Sequence, residues 1–178
     1  SATKQRVEMI HHAEAALQAA SDARIHELES TVVRAGADLM TTAGSETTAK
    51  FLAGFSQGFN VLGAAAQARL RDAFVDKNPH ENRADLVETD ASGLWAYAGL
   101  HKGFHPIARN LVDAFGYHDL LLVDLDGNVV YSVGKGNTFA TNLAEGVYAA
   151  GPLGQLFAQM RDLGTDARGR VASVPFQP

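Results

Sequence analysis

The chain has 178 residues, a net charge of −5 and no cysteine. That length suits one domain, or one domain with a helical extension, and can bury a real core. A pI near 5.7 argues against nucleic acid or an anionic membrane surface as the main partner, and the lack of cysteine excludes disulfides and thiolate chemistry.

Hydrophobic residues make up 46% and charged residues 20%, ordinary for a folded soluble protein. No run approaches the roughly 18 apolar residues of a membrane span, and no signal peptide is visible. Ser1-Ala2 suits a cloning remnant, which leaves room for a soluble piece of a longer membrane protein.

Residues 4 to about 42 read as one long helix. Leu17, Ser21, Ile25, Leu28, Val32, Ala35 and Leu39 step by four and three along a narrow stripe. Such a stripe suits close helix packing, either inside a bundle or in a dimerising stalk. Gly44 and Ser45 then read as a C-cap and an N-cap. A second helix is expected over 46 to 76, its apolar face made by Leu52, Phe55, Phe59, Leu62, Ala66, Leu70 and Phe74. Gly54, Gly58 and Gly63 weaken it or let a neighbouring helix come close. Asn78-Pro79 ends it.

Residues 79–93 are polar and aperiodic, hence a loop. Helical pattern resumes from Leu94 to Phe115, with Trp95, Leu100, Phe104, Ile107, Leu111, Val112 and Phe115 as its apolar residues. Pro106 is expected to kink or restart this helix, and Gly116 to cap it. Leu120–Leu125 and Val129–Val133 are two short apolar runs around Asp126-Gly127. An Asp-Gly pair between such runs is a strong hairpin signal and points to a type I′ turn. Residues 134–150 form a long loop, Pro152 opens a helix to about Leu163, and residues 165–170 turn into a third strand, Val171–Phe176. That strand would have nothing further to pair with, so more chain is expected beyond Pro178.

Asp124-Leu-Asp126-Gly-Asn128 resembles the start of a calcium loop, but glycine falls at its fourth position and Lys135 at its twelfth. A hairpin turn accounts for it better. His101 and His105 lie four apart, on one helix face, yet Lys102 stands where a zincin has glutamate. Metal binding by His101, His105 and His118 stays a weaker alternative. No nucleophile elbow, dinucleotide loop or phosphate loop is present. What remains is binding. Tyr131, Ser132, Lys135, Asn137, Thr138, Thr141, Asn142 and Tyr148 follow one another through the second strand and the glycine-containing loop. Such a loop over a small sheet can enclose a ligand, or can be a plain connection. A lysine among Asn, Thr and Tyr suits a carboxylate.

The run Phe104-His105-Pro106, Phe115-Gly116-Tyr117-His118-Asp119, Asp126-Gly127-Asn128-Val-Val-Tyr-Ser-Val, Lys135, Phe139-Ala-Thr-Asn-Leu and Gly146-Val-Tyr148 resembles the extracytoplasmic sensor domains of bacterial methyl-accepting chemotaxis proteins and related transmembrane cyclases and kinases. The match runs from about 104 to 157, with Asn78-Pro79 also in place. His118 stands where that family usually has tyrosine, and Gly134-Lys135-Gly136 stands for Phe-Lys-Glu. Phe176-Gln-Pro178 resembles a family strand cut short.

The resemblance implies an α+β fold, with a helical stalk or bundle over 1–93 and a partial PAS-like (Cache) antiparallel sheet over 94–178. It implies a periplasmic small-ligand sensing domain of a membrane-anchored, homodimeric receptor. The alternative is a helical dimerisation or interaction module with an empty PAS-like scaffold. The candidate ligand residues are Tyr117, His118, Tyr131, Lys135, Thr141, Asn142 and Tyr148. The ligand is expected to be small and to bear a carboxylate. Catalysis, metal, cofactor and nucleic acid are not expected.

Overall fold

A computed structural model describes residues 46–162, together with residues 19 and 20. The chain divides into two units, Ser1–Thr41 and Thr42–Pro178, and the elements below belong to the second. The expected helix over residues 4–42, the turn at 165–170 and the strand at 171–176 lie outside the described residues. Among those described, the fold is α+β, with helices around one antiparallel two-stranded sheet. No helix among them is long and apolar enough to cross a membrane.

Helix α1, Glu46–Leu62, starts with an acidic residue, which suits the positive end of the helix dipole. The helical path continues to Asp76, as expected, but its hydrogen-bond period changes three times. A 3₁₀ turn, Gly63–Ala65, interrupts it where Gly63 takes φ +55°. Helix α2, Ala66–Arg71, follows, and then a π turn, Asp72–Asp76. The wider π turn lets three successive residues, Ala73, Phe74 and Val75, all enter the core, which one stripe of an α-helix does not allow. Asn78 closes the end, its amide donating to the carbonyls of Phe74 and Arg83.

Helix α3, Trp95–Phe115, is one element; it neither stops nor restarts at Pro106. Gly116 ends it in the left-handed region at φ +66°, its N–H on the Val112 carbonyl. The buried face differs from the expected one. Trp95 is 82% exposed and Ile107 46%. The face turned inward carries Tyr97, Ala98, His101, Phe104, His105 and Ala108. Polarity at the tips of Tyr97 and His105 hid this stripe; each tip finds a buried acceptor or donor, so burial costs little. Helices α1 and α3 approach through glycine. A Cβ on Gly54 would lie 2.9 Å from Leu100 Cδ1, and one on Gly58 3.4 Å from Tyr97 Cδ2.

Strands β1, Leu121–Val123, and β2, Val129–Ser132, form the expected hairpin. The turn is not type I′. Asp126 has no positive φ; Gly127 alone in the turn does, at +90°. The Gly127 N–H reaches the Asp124 carbonyl and the Asp124 N–H the Asn128 carbonyl, a three-residue loop in which glycine takes the left-handed position. Asp124 holds this loop. Its carboxylate accepts from the Asp126 and Asn128 amides, the Asn128 side chain and Ser56 Oγ, which fully accounts for the residue that a calcium reading would have used. Between Leu122–Tyr131 and Val123–Val129 the register shifts, so β2 holds one extra residue and sends both Val130 and Tyr131 into the core.

All four β2 residues are buried. The core draws Phe55, Leu70 and Phe74 from before residue 93 and Tyr97, Phe104, Val130, Tyr131 and Phe139 from after it. Helix α4, Pro152–Asp162, closes the described chain, with proline in its first turn.

Candidate functional site: a buried lysine among aromatic rings

The loop after β2 folds back along that strand. The Val129 N–H donates to the Thr141 carbonyl, the Ala140 N–H to the Val129 carbonyl, and the Leu143 N–H to the Gly127 carbonyl. The loop thus covers the edge of β2 away from β1. Three side chains from elsewhere fasten it. Asp119 accepts from the Gly134 N–H and from Ser132 Oγ. Arg71 Nη1 donates to the Gly136 and Phe139 carbonyls, and Arg83 Nη1 to the Lys135 carbonyl at 3.4 Å.

The fold-back carries Lys135 inward. Its backbone is left-handed, at φ +51°, a conformation that a residue with a Cβ adopts at a cost. Its side chain is 0% exposed. Nζ donates to the Ser132 and Val133 carbonyls, at 2.5 and 3.2 Å. The Tyr131, Phe74 and Phe139 rings surround it at 5.0, 5.9 and 5.9 Å, within cation–π range. Among the described residues no carboxylate lies within ion-pair distance of Nζ. Burial lowers the Lys135 pKa, Asp119 acts in the opposite direction and Arg109 adds to the lowering, for a value of about 7.

Facing this amine, α3 presents Tyr97, His101 and His105, spaced four apart on one stripe. Their partners fix their protonation. His105 Nε2 lies 2.7 Å from the Ala84 carbonyl and Nδ1 2.7 Å from Tyr131 Oη. A carbonyl only accepts, so Nε2 carries the hydrogen and Tyr131 donates to Nδ1. His101 Nδ1 lies 3.0 Å from the Val87 carbonyl and must donate to it. His101 Nε2 is then a bare acceptor, buried without a partner. Tyr97 Oη donates to the Val130 carbonyl at 2.6 Å. The two imidazoles stack at 4.3 Å. Burial, then Lys135, holds both histidine pKa values low, that of His105 at about 4. Burial raises both tyrosines. At neutral pH the cluster holds two neutral imidazoles, two phenols and one amine close to its own midpoint.

Of the residues singled out from sequence, Tyr131 and Lys135 meet in this cluster. Tyr117 is half-buried and rests its ring near Phe115; His118 is exposed. Thr141 Oγ1 donates to the Thr138 carbonyl. Asn142 bridges the loop to the hairpin turn, donating to the Asp126 carbonyl and Asn128 Oδ1 and accepting from the Ala144 and Glu145 amides. Tyr148 is half-buried further along the loop. Thr141 and Asn142 therefore shape the cover. The sequence reading did not place Tyr97, Phe74, Phe139 or Asp119 among the site residues, and weighed His101 and His105 as metal ligands only as a weaker alternative. Among the described residues no three His, Cys, Asp or Glu side chains converge as a metal site.

Beneath the loop Lys135, Phe139 and Tyr131 are all fully buried. An open surface groove lies elsewhere, between α2 and the 79–94 segment, with Arg69, Asp72, Lys77, Glu88 and Asp90 on its walls. Both signs of charge line it, so it favours no one ligand charge. Comparison with known proteins finds no matching family model, no matching curated protein and no matching solved structure.

Proposed function

We propose that the chain is the small-ligand sensing domain of a transmembrane chemoreceptor or similar signalling protein, held outside the cytoplasmic membrane. The observation that carries this reading is the fold-back of residues 133–143 over β2, which buries a lysine under a cover fastened by polar contacts. Polar fastenings break and reform at small net cost, about 1 kcal/mol each. Such a cover can exchange between two positions, and a ligand that binds one better shifts the balance. The resemblance over residues 104–157 to chemoreceptor sensor domains, PAS-like in fold, supports the same reading. In it the amino-terminal helices pair two copies and carry the bias toward the membrane, and the chain itself is not an enzyme.

A ligand reaching this place must displace Lys135 and Phe139. The measurement is melting temperature against a panel of small metabolites, carboxylates included. A saturable rise of a few degrees with one chemical class is the expected outcome. A flat response across the panel overturns direct sensing. The packed interior favours a second reading in that event: a rigid module that docks to another protein or to its own copy. Sedimentation with and without residues 1–42 tests that, since loss of the dimer on removal assigns the pairing to those helices.

A further inference from the structure

We propose that Lys135 is a proton-operated latch: its amine stays inside the aromatic cluster when neutral, and taking up a proton releases the loop that follows β2. Groups from several elements surround the amine. Helix α3 offers it the two neutral histidines, His101 and His105, and the Tyr97 hydroxyl, with Arg109 on the same helix held by Asp85. Strand β2 offers Tyr131. The segment before β1 offers Asp119, already occupied by Ser132 Oγ and the Leu120 and Gly134 amides. The π turn brings only the Phe74 ring, and Arg71 and Arg83 spend their hydrogens on loop carbonyls. Among the described residues no element supplies a counter-charge at contact distance.

An ammonium here keeps two carbonyl hydrogen bonds and three ring faces, each modest in value. Against these stands the loss of its hydration, several kcal/mol for a buried cation. Desolvation outweighs them, in line with the pKa lowered to about 7, so the amine is held inside as the neutral form and protonation favours its exit. The backbone adds a hinge. Lys135 is left-handed while inside, and a glycine on each side lets the segment rotate outward. The release side is lightly held, by hydrogen bonds from Arg71, Arg83 and Asp119.

The direction follows from linkage. Outside, the amine has its ordinary pKa of 10.5; inside, about 7. Opening therefore takes up a proton between those values. The latch is tightest at alkaline pH, loosens as pH falls toward 7, and gains nothing further below it.

Native-state proteolysis with subtilisin between pH 7 and 9.5 reads this directly, with cleavage mapped by mass spectrometry and normalised to a peptide of residues 130–145. Cleavage at residues 134–138 should slow by up to about tenfold per pH unit gained. In Lys135→Met, a near-isosteric apolar side chain, the profile should be flat. Parallel profiles in the two proteins overturn the proposal. A second measurement stands if the variant does not fold: the ¹³Cε resonance of Lys135 in the unaltered protein should titrate with a midpoint below the ordinary 10.5, between that value and 7, and a midpoint at 10.5 overturns the latch. Neither readout uses a ligand, so an unresponsive metabolite panel leaves the latch standing.

Discussion

Tyr131 joins the histidine pair to the buried amine. It donates to His105 Nδ1 and lays its ring against Lys135 Nζ. Tyr131→Phe keeps the ring and strands a buried acceptor, so it should cost about 1–3 kcal/mol in urea unfolding. Tyr131→Leu should cost more, since it also removes the ring. The histidines set a second expectation. His105 has a folded pKa of about 4 against 6.5 unfolded, and His101 lies lower still. The unfolded chain therefore binds protons first as pH falls. The histidine contribution to stability is intact above pH 6.5 and should drop by about 1.4 kcal/mol per pH unit per histidine below it. Denaturant midpoints at pH 7 and 5.5 measure the drop, and His105→Gln should make it shallower. Tyr131 and Lys135 stood out in the sequence as polar groups after an apolar run. Tyr97 did not, and His101 and His105 stood out only as a weaker metal alternative and, for His105, within the family resemblance, although the four-residue spacing of all three marks one helix face. Apolar periodicity discounts residues with polar tips, and only the structure shows where those tips find partners.

At the scale of elements, the hairpin was the most legible part of the chain, and its turn the least. Asp126-Gly127 located it correctly. The backbone instead makes a wider loop, because Asp124 gathers the amides of Asp126 and Asn128 and leaves the left-handed position to Gly127. Capping by a side chain two and four residues away outweighs the local preference of an Asp-Gly pair. Two substitutions separate these contributions. Asp124→Ala should cost about 2–3 kcal/mol, as it removes the acceptor for four donors, one of them Ser56 on α1. Gly127→Ala should cost at least about 1 kcal/mol, from a left-handed φ of +90° and a Cβ only 2.9 Å from the Ala144 amide nitrogen. Thermal melts of the two variants and their double mutant measure both. The helices show the same contrast. Their extents followed from caps and from Asn78-Pro79, whereas the inward face of α3 and the π turn at 72–76 depend on neighbours that no local window contains.

For the whole molecule, the decisive fact is that the core ignores residue 93. Phe55 packs its ring against Tyr97, Phe104 and Tyr131, at 5.0, 6.0 and 5.1 Å. Phe74 packs against Tyr97, His101 and Phe139. The hairpin and its loop thus rest on rings delivered by the chain before residue 93, and Arg71 from that same part fastens the loop. A two-stranded hairpin is at best marginally stable alone in water. Residues 94–178 expressed alone should therefore lack a cooperative unfolding transition and disperse poorly in an amide NMR spectrum. Residues 42–178 should show both a single transition and dispersed amides. Adding residues 42–93 in trans should restore part of the signal if the rings rather than the connection matter. Cooperative unfolding of the 94–178 piece by itself would mean that its own contacts suffice, and that α1 and α2 merely lean on a finished sheet.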